Sequence, residues 1–261
     1  MQLGVNVPNF GPGTDPGVLR EWARIVEGLG FDLLMMSDHV AVTPDVAERY
    51  PEPFYEPLTT LSWLAGVTTR VKLGTTVLVL PYRHPLLVSR MATGLHRLSG
   101  GRFVLGVGVG WSRQEYEALG VPFAERGKLT DEYLSVLRGA EYPIWVGGNS
   151  GAGIRRAVAY GAPWHPLHGT LAWIRAAVTE HGLSGFAPRI FLRLTTAPVV
   201  DAERPAGVGS IEQILDDLDQ LRLLGAATVV LDPYHRDPEE TRRPQTAWHA
   251  LTAVATHWRN R

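Results

Sequence analysis

The chain has 261 residues, of which 45% are hydrophobic and none is cysteine, and its formal net charge is −1. This near-neutral charge gives no electrostatic reason to expect nucleic acid or an anionic membrane as the main partner. The lack of cysteine excludes disulfides, cysteine nucleophiles and thiolate metal sites, and it fits a protein of the cytoplasm.

The predicted elements begin with a strand at residues 3–7, which follows no basic or long apolar segment, so no secretory signal is expected. Further short apolar runs predict strands at residues 31–37, 71–77, 103–109, 143–146, 163–165, 190–194 and 228–231. Most of these runs are nearly continuous in apolar residues, which suits parallel strands covered on both faces. None approaches the roughly 18 apolar residues that a membrane-spanning helix needs.

Amphipathic stretches separate these runs. Asp15 and Pro16 form a helix start signal, and apolar residues at helical spacing then lead to a stop at Gly30. Ser210 and Gln213 predict a capping box at the start of a later helix. Strand and helix alternate about eight times, over a length near the roughly 250 residues of one barrel. We therefore predict one α/β domain over residues 1–261, a (β/α)₈ TIM barrel with a parallel sheet, with an open doubly wound sheet as the alternative.

Two patterns that often mark cofactor or metal sites are incomplete in this sequence. The glycine clusters at residues 11–13 and 106–110 lack the third glycine of the dinucleotide-binding fingerprint, because Pro16 and Trp111 occupy its position. His165 and His168 have a spacing that suits a metal, but no cysteine or dense carboxylate cluster joins them. We expect no metal site, and we interpret both histidines as loop or pocket residues.

The ends of the predicted strands carry the candidate chemistry, because a parallel barrel collects its functional residues there. After the second strand, Asp38 and His39 place a carboxylate beside an imidazole, a pair that can orient a ring or transfer a proton. The alternative is that Asp38 caps a loop and His39 is structural. The third strand ends at residues 74–77, which also fit plain strand propensity. Residues 106–110 end the fourth, where glycine allows either close backbone packing or the approach of a planar ring.

The fifth strand leads into a helix through Gly147, Gly148, Asn149 and Ser150. This arrangement presents free backbone N–H groups to an anion. Charge-assisted hydrogen bonds contribute roughly 1.5–3 kcal/mol each, so three or four would supply much of the roughly 8 kcal/mol of micromolar binding. A tight turn with Ser150 as the helix N-cap is the alternative, and we favour phosphate binding.

Together these segments resemble the luciferase-like monooxygenase superfamily, and most closely its F420-dependent oxidoreductases. The resemblance rests on the motifs Ser-Asp-His, Leu-Gly-Thr, Gly-Val-Gly-Trp and Ile-Trp-Val-Gly-Gly. The matching stretches are residues 4–8, 31–40, 71–81, 102–120, 131–134, 143–156 and 228–232. The resemblance implies a barrel whose top face holds a flavin or deazaflavin ring. It implies an oxidoreductase that transfers a hydride between coenzyme F420 and a small organic substrate, in a cytoplasmic homodimer.

The same resemblance implies roles for individual residues. It gives His39, with Asp38 beside it, the proton chemistry near the reacting centre, and it implies a non-proline cis peptide bond between Thr76 and Val77. We interpret Trp111, His165 and His168 as residues of the substrate pocket. The implied cofactor contacts are Asp38, Thr76, Val77, Gly106, Gly108, Gly147, Gly148, Asn149 and Ser150.

The sequence departs from the family pattern in three places, and these keep other functions open. Only residues 139–142 bridge a gap that usually holds a longer insertion, and residues 161–164 lack the usual acidic group. Trp111 stands where sugar-phosphate dehydrogenases of the family have a carboxylate, which argues against that substrate class. An FMN-dependent monooxygenase is the first alternative. A catalytically silent barrel that acts as a partner subunit is the second.

Overall fold

The computed structural model describes residues 1–259, and eight parallel strands form its centre. These strands are β1 (Gln2–Asn6), β2 (Leu33–Met36), β3 (Lys72–Thr75), β4 (Phe103–Gly108), β5 (Ile144–Gly147), β6 (Trp164–His165), β7 (Arg189–Phe191) and β8 (Thr228–Asp232). Strands β1 to β6 pair in parallel in chain order, β8 pairs with β1, and β7 pairs with β8. A parallel bridge between Leu167 and Arg189, with an Ala187 N–H bond to the Trp164 carbonyl, joins β6 to β7. The predicted (β/α)₈ barrel is confirmed.

Helices on the outside connect successive strands. They are α1 (Pro16–Gly28), α2 (Pro44–Ala47), α3 (Pro57–Ala65), α4 (Pro85–Leu98), α5 (Arg113–Ala118), α6 (Arg126–Val136), α7 (Gly151–Tyr160), α8 (Leu171–His181), α9 (Ile211–Leu223) and α10 (Pro244–Trp258). The predicted start signals are confirmed, since Asp15 caps α1 and Ser210 with Gln213 forms a capping box on α9. Among residues 1–259, no helix combines the length and apolarity needed to cross a membrane.

Two predicted strands are shorter than their apolar runs. β3 ends at Thr75, and Leu78–Val79 follows as a separate short strand on β4. The peptide bond between Thr76 and Val77 is cis, as the resemblance implies. β7 ends at Phe191, and Arg193–Leu194 leaves the barrel to pair with Val208–Gly209. Val208–Gly209 is thus a short strand outside the barrel, and Pro238–Arg242 forms a 3₁₀-helix in the loop after β8.

The interior of the barrel is apolar below and polar above. Alternate side chains of each strand point inward. The lower interior is filled by Leu33, Met35, Val104, Trp145, Ala187 and Val230. Nearer the C-terminal ends of the strands, the buried side chains are polar and include Asn6, Thr76, His165, Arg189 and Asp232. This polar layer forms the floor beneath the mouth of the barrel.

Candidate active site

A cavity of about 270 Å³ opens at the C-terminal ends of the strands. Its volume lies near the lower end of the roughly 300–1,000 Å³ typical of small-molecule sites. All four strand ends singled out in the sequence contribute to it. The predicted site residues in its lining are Asp38, His39, Thr76, Val77, Gly108, Trp111, Gly147 and Gly148.

Val77 explains the glycines in the wall of this cavity. A Cβ on Gly108 would lie 2.5 Å from Cγ2 of Val77, and one on Gly147 would lie 2.8 Å from Cγ1 of the same side chain. Gly106 differs, because a Cβ there would lie 2.1 Å from the carbonyl oxygen of Thr75. The structure places Gly106 against the backbone of β3 and outside the cavity lining, whereas Gly108 and Gly147 lie in the lining and allow Val77 to pack directly against both strands.

Asp38 lies in the cavity wall, but its carboxylate is held by partners. Both guanidinium ends of Arg83 donate to it, at 2.8 Å each, and the N–H of Val79 donates at 2.9 Å. The Asp38 side chain is 0% exposed, and Arg83 also bonds Glu56 at 2.9 Å. A buried carboxylate with a bidentate arginine partner is well suited to orient the loop after β2.

His39 presents one edge of its ring to the cavity and the other to a carboxylate. Its Nδ1 lies 2.6 Å from Oε2 of Glu115. A carboxylate oxygen accepts, so we assign the hydrogen to Nδ1, which leaves a lone pair on Nε2. The ring stacks on Tyr50 with centroids 5.3 Å apart and meets Trp111 edge-on at 5.8 Å. Over residues 1–259, Nε2 has no hydrogen-bond partner, which leaves it available to a bound molecule.

Glu115 is the main functional candidate that the motifs did not identify. Glu115 lies four residues after Trp111 and belongs to no motif identified in the sequence. It is nevertheless fully buried and contacts His39, which lies 76 residues before it in the chain. The N–H groups of Val40 and Ala41 donate to its Oε1 at 2.6 and 3.1 Å. The Tyr82 hydroxyl donates to Oε2 at 3.0 Å. The one sequence feature that could have identified Glu115 is its position shortly after the end of a predicted strand.

Arg189 and Asp232 hold the polar floor of the cavity. Arg189 donates to Oδ2 of Asp232 at 2.9 and 2.6 Å, and to the Thr76 carbonyl at 2.6 Å. Asn6 donates to Oδ1 of Asp232 at 3.0 Å. Burial opposes the charge on Asp232, but Arg189 and the hydrogen bonds outweigh it and hold the pKa of this carboxyl well below its usual range. Arg189, which was not predicted, lines the cavity.

The two histidines assigned to the substrate pocket bond to residues of this floor and are not in the cavity lining. His165 is fully buried, with Nδ1 donating to the Ala187 carbonyl and Nε2 2.7 Å from the Thr76 hydroxyl. Burial lowers the pKa of His165 to about 4, so its ring is neutral near pH 7. His168 stacks on Phe191 and bonds Asp232 at 2.6 Å, while burial lowers its pKa.

The turn before α7 is open to an anion. Ser150 caps the helix by accepting from the Gly153 N–H at 3.2 Å, so the N-cap alternative is confirmed. The Asn149 side chain bonds the backbone N–H and carbonyl of Leu167 at 2.8 and 2.6 Å. The N–H groups of Gly151 and Ala152 come before the first intrahelical bond and have no helical partner.

A guanidinium group lies at this helix start. A Cβ on Gly151 would be 3.1 Å from Nη1 of Arg155, so that side chain folds back over the first turn. Arg156, by contrast, points away and pairs with Asp131 at 2.5 Å. Free N–H groups and a cation at one helix end favour a bound phosphate.

A second cavity of about 370 Å³ lies outside the barrel, between α1, α10 and the loops after β7 and β8. Trp22, Leu192, Tyr234 and Ala247 are among its lining residues. It is the larger of the two, but none of the predicted site residues reaches it. Nor do three or more metal-ligating side chains cluster anywhere in residues 1–259. The cavity at the barrel mouth is therefore the candidate active site.

Comparison with known proteins agrees with this geometry. A family model described as luciferase-like monooxygenase matches residues 1–142. An uncharacterized protein of Mycobacterium tuberculosis is 32% identical over 173 residues, which cover 52% of this chain and 60% of the relative. The match thus spans less than two thirds of that relative's length.

Two solved structures share the fold over nearly the whole chain. One is the FMN-bound oxygenating constituent of 3,6-diketocamphane monooxygenase from Pseudomonas putida, with a TM-score of 0.73, 16% identity and coverage of 98% of this chain and 96% of the other. The second is the coenzyme F420-dependent tetrahydromethanopterin reductase of Methanopyrus kandleri, with a TM-score of 0.66, 16% identity and 97% coverage of both chains. At these identities the likeness shows a common architecture.

Proposed function

The chain belongs to the luciferase-like monooxygenase family, and from that premise we propose that it is an oxidoreductase that transfers a hydride between coenzyme F420 and a small organic substrate. The observation that carries this proposal is His39, which lines the cavity and whose Nε2 has no hydrogen-bond partner in residues 1–259 while Nδ1 is held by Glu115. Such a group can take up or release the proton that accompanies a hydride.

The residues around the cavity fit a tricyclic ring with an anionic tail. Thr76, Val77, Gly108 and Gly147 would hold the ring, since all four line the cavity and the two glycines allow Val77 to pack against both neighbouring strands. At the other end, Gly148, Asn149 and Ser150 would hold the tail at the start of α7, with Arg155 as the cation. Gly106 would support this surface through β3. When bound, the deazaflavin supplies the hydride chemistry.

The chain's own side chains would position His39, hold the floor of the cavity and keep part of the solvent away. Asp38 fixes the loop that carries His39 through its bond to Arg83. Arg189 and Asp232 form an ion pair in the floor of the cavity, so no unbalanced charge would lie under a bound ring. His165 and His168 keep that floor in place. Trp111 and Tyr50 shield His39 from part of the solvent.

The open mouth of the cavity favours F420 over FMN. The connection from α6 to β5 is short, and Trp111 at the rim is 42% exposed. Oxygen chemistry on a flavin needs water to be kept away from reactive intermediates. Hydride transfer from a deazaflavin needs less exclusion of water from the site. An FMN-dependent monooxygenase is the second candidate, supported by the structural likeness to the FMN-bound protein of Pseudomonas putida.

A parallel titration of the apoprotein with F420 and FMN separates these functions. We expect F420 to saturate one site per chain with micromolar affinity, and FMN to bind more weakly. Tighter binding of FMN, with oxygen uptake coupled to product, would contradict the F420 assignment. Binding of neither, together with stable assembly with a related chain, would identify a silent partner subunit.

We also propose that residues 1–261 act as one catalytic domain in a cytoplasmic homodimer. The support is the family resemblance and the single sheet that contains all eight strands of the barrel. Light scattering of the purified chain should give twice the 28.7 kDa mass of the monomer. A mass of one chain at working concentration would overturn the dimer and leave the active site unaffected.

A further inference from the structure

We propose that Glu115 is a positioning residue that sets the tautomer of His39, so that the ring offers a proton acceptor at Nε2 to the cavity. The inference rests on the proposed function, because it assumes that His39 meets the substrate. It concerns a contact between the helix after β4 and the loop after β2. The geometry of the Glu115 carboxylate carries the argument.

The backbone fixes which oxygen of Glu115 faces His39. The Val40 and Ala41 N–H groups both donate to Oε1, at 2.6 and 3.1 Å. Oε2 must then point to Nδ1 of His39, at 2.6 Å. The Glu115 side chain is 0% exposed, so water does not compete for these positions. The carboxylate is held at both oxygens.

The second neighbour of Oε2 is also a donor. The Tyr82 hydroxyl lies 3.0 Å from it. Burial and the nearby Glu115 charge raise the pKa of Tyr82, so this hydroxyl keeps its hydrogen throughout the physiological range. Oε2 therefore accepts from both sides, and Nδ1 of His39 must carry a hydrogen. In a neutral imidazole, Nε2 then has the free lone pair.

The helix that carries Glu115 also holds the loop beyond His39. Ser112 accepts from the Glu115 N–H at 2.9 Å and donates to Asp45 at 2.7 Å. Asp45 lies in α2, at the end of the same loop. Hydrogen bonds of Glu115 and Ser112, at the start of α5, thus fix the loop at two points, at Val40–Ala41 and at Asp45. One short helix sets both the position of His39 and its protonated nitrogen.

Glu115→Gln tests this arrangement with an almost unchanged shape. The Val40 and Ala41 N–H groups will keep the amide oxygen on their side, so the amide NH₂ will face Nδ1 of His39. The ring must then accept at Nδ1 and carry its hydrogen on Nε2, which presents a donor to the cavity. The same change of tautomer in serine proteases, where an aspartate becomes asparagine, lowers kcat by roughly 10⁴.

The first measurement needs neither substrate nor cofactor. In ¹⁵N NMR spectra of the full wild-type chain, at alkaline pH where an imidazole is uncharged, we expect His39 to be protonated at Nδ1. In the Glu115→Gln chain, we expect the hydrogen on Nε2. Glu117→Gln is the matched control, because it changes an exposed carboxylate on the same helix. Its His39 signals should be the same as those of wild type.

The second measurement is turnover of the loaded enzyme. We expect Glu115→Gln to lower kcat roughly 10²–10⁴-fold, with KM and cofactor affinity nearly unchanged, and Glu117→Gln to match wild type. A wild-type His39 protonated at Nε2, or equal kcat in the two variants, would overturn the inference. If Glu115→Gln does not fold, the wild-type spectrum alone still decides. Failure of F420 to bind would remove the proposed function without changing that spectrum.

Discussion

At the scale of single residues, the mouth of the barrel places one imidazole where it can exchange a proton with a bound molecule. His39 lies in the cavity lining beside Glu115, with Tyr50 stacked on its ring and Phe54 in edge contact. Asp38, next to it, has both carboxylate oxygens bound to Arg83 and Val79. Adjacent residues thus have different environments: Asp38 is bound within the loop, whereas His39 is the residue that we propose to contact the ligand.

We expect His39→Gln to lower turnover roughly 10²–10⁴-fold while cofactor affinity stays nearly the same. Glutamine keeps a polar side chain of similar size but cannot act as a base near neutral pH. Steady-state kinetics and a cofactor titration on the same preparation measure both quantities. His257→Gln, an exposed residue of α10, should behave as wild type. Unchanged turnover in His39→Gln would remove this residue from the mechanism.

The sequence predicts these residues only in part. The rule that barrels collect functional residues at the ends of their strands correctly predicted that four residues share one cavity. These residues are Asp38, His39, Thr76 and Val77. The partner of His39 was missed, because Glu115 is 76 residues away and no local pattern reports a contact between two loops. His165, which the sequence suggested as a loop or pocket residue, is fully buried and bonds the Thr76 hydroxyl without reaching the cavity lining.

At the scale of elements, the site depends on β3, β4 and β5 meeting closely at their C-terminal ends. Val77 follows β3 and lies across glycines of both neighbouring strands. The apolar run at residues 71–77 predicted the strand, but it did not show that the strand stops at Thr75. That end point depends on the pairing of Leu78–Val79 with β4, which is a tertiary contact.

We expect Gly108→Ala to destabilise the fold and to weaken cofactor binding. The new Cβ would lie 2.5 Å from Cγ2 of Val77, and a β-branched side chain in a packed wall has little freedom to move. Overpacking of this kind costs roughly 1–3 kcal/mol. Urea unfolding measures the loss, and a titration with F420 should show at least about tenfold weaker binding, the equivalent of about 1.4 kcal/mol.

Gly94→Ala is the control for this substitution. Gly94 lies inside α4, and a Cβ there would meet nothing within 4 Å. The change should leave binding as in wild type and stabilise the fold by up to about 1 kcal/mol. Equal stability and affinity in Gly108→Ala and the wild type would show that Val77 does not fill the space next to this glycine.

At the scale of the whole molecule, the barrel has an apolar lower interior beneath a buried polar layer. Such a layer links the stability of the fold to pH. Burial lowers the pKa of His165 to about 4, whereas an unfolded histidine titrates near 6.5. The unfolded chain therefore binds this proton first as the pH falls. The stabilising effect is complete above about pH 6.5 and is lost progressively as the pH falls to about 4.

We accordingly expect the free energy of unfolding to fall between pH 6.5 and pH 4. The His165 share of this fall is about 3 kcal/mol, from the shift between the two pKa values at about 1.4 kcal/mol per unit. Urea unfolding at pH 7 and pH 4.5 measures the change. His165→Asn lacks the titrating ring, so its stability should depend less on pH than that of wild type. An unchanged pH dependence in that variant would contradict this account.

The central claim is that the barrel mouth holds a ring beside His39 while the start of α7 holds its anionic tail. A crystal structure of the chain soaked with F420 tests it most directly. We expect density for the deazaflavin between Val77 and His39, and the phosphate within hydrogen-bond reach of the Gly151 and Ala152 N–H groups. Density in the outer cavity beside Trp22, or a phosphate away from α7, would contradict the account.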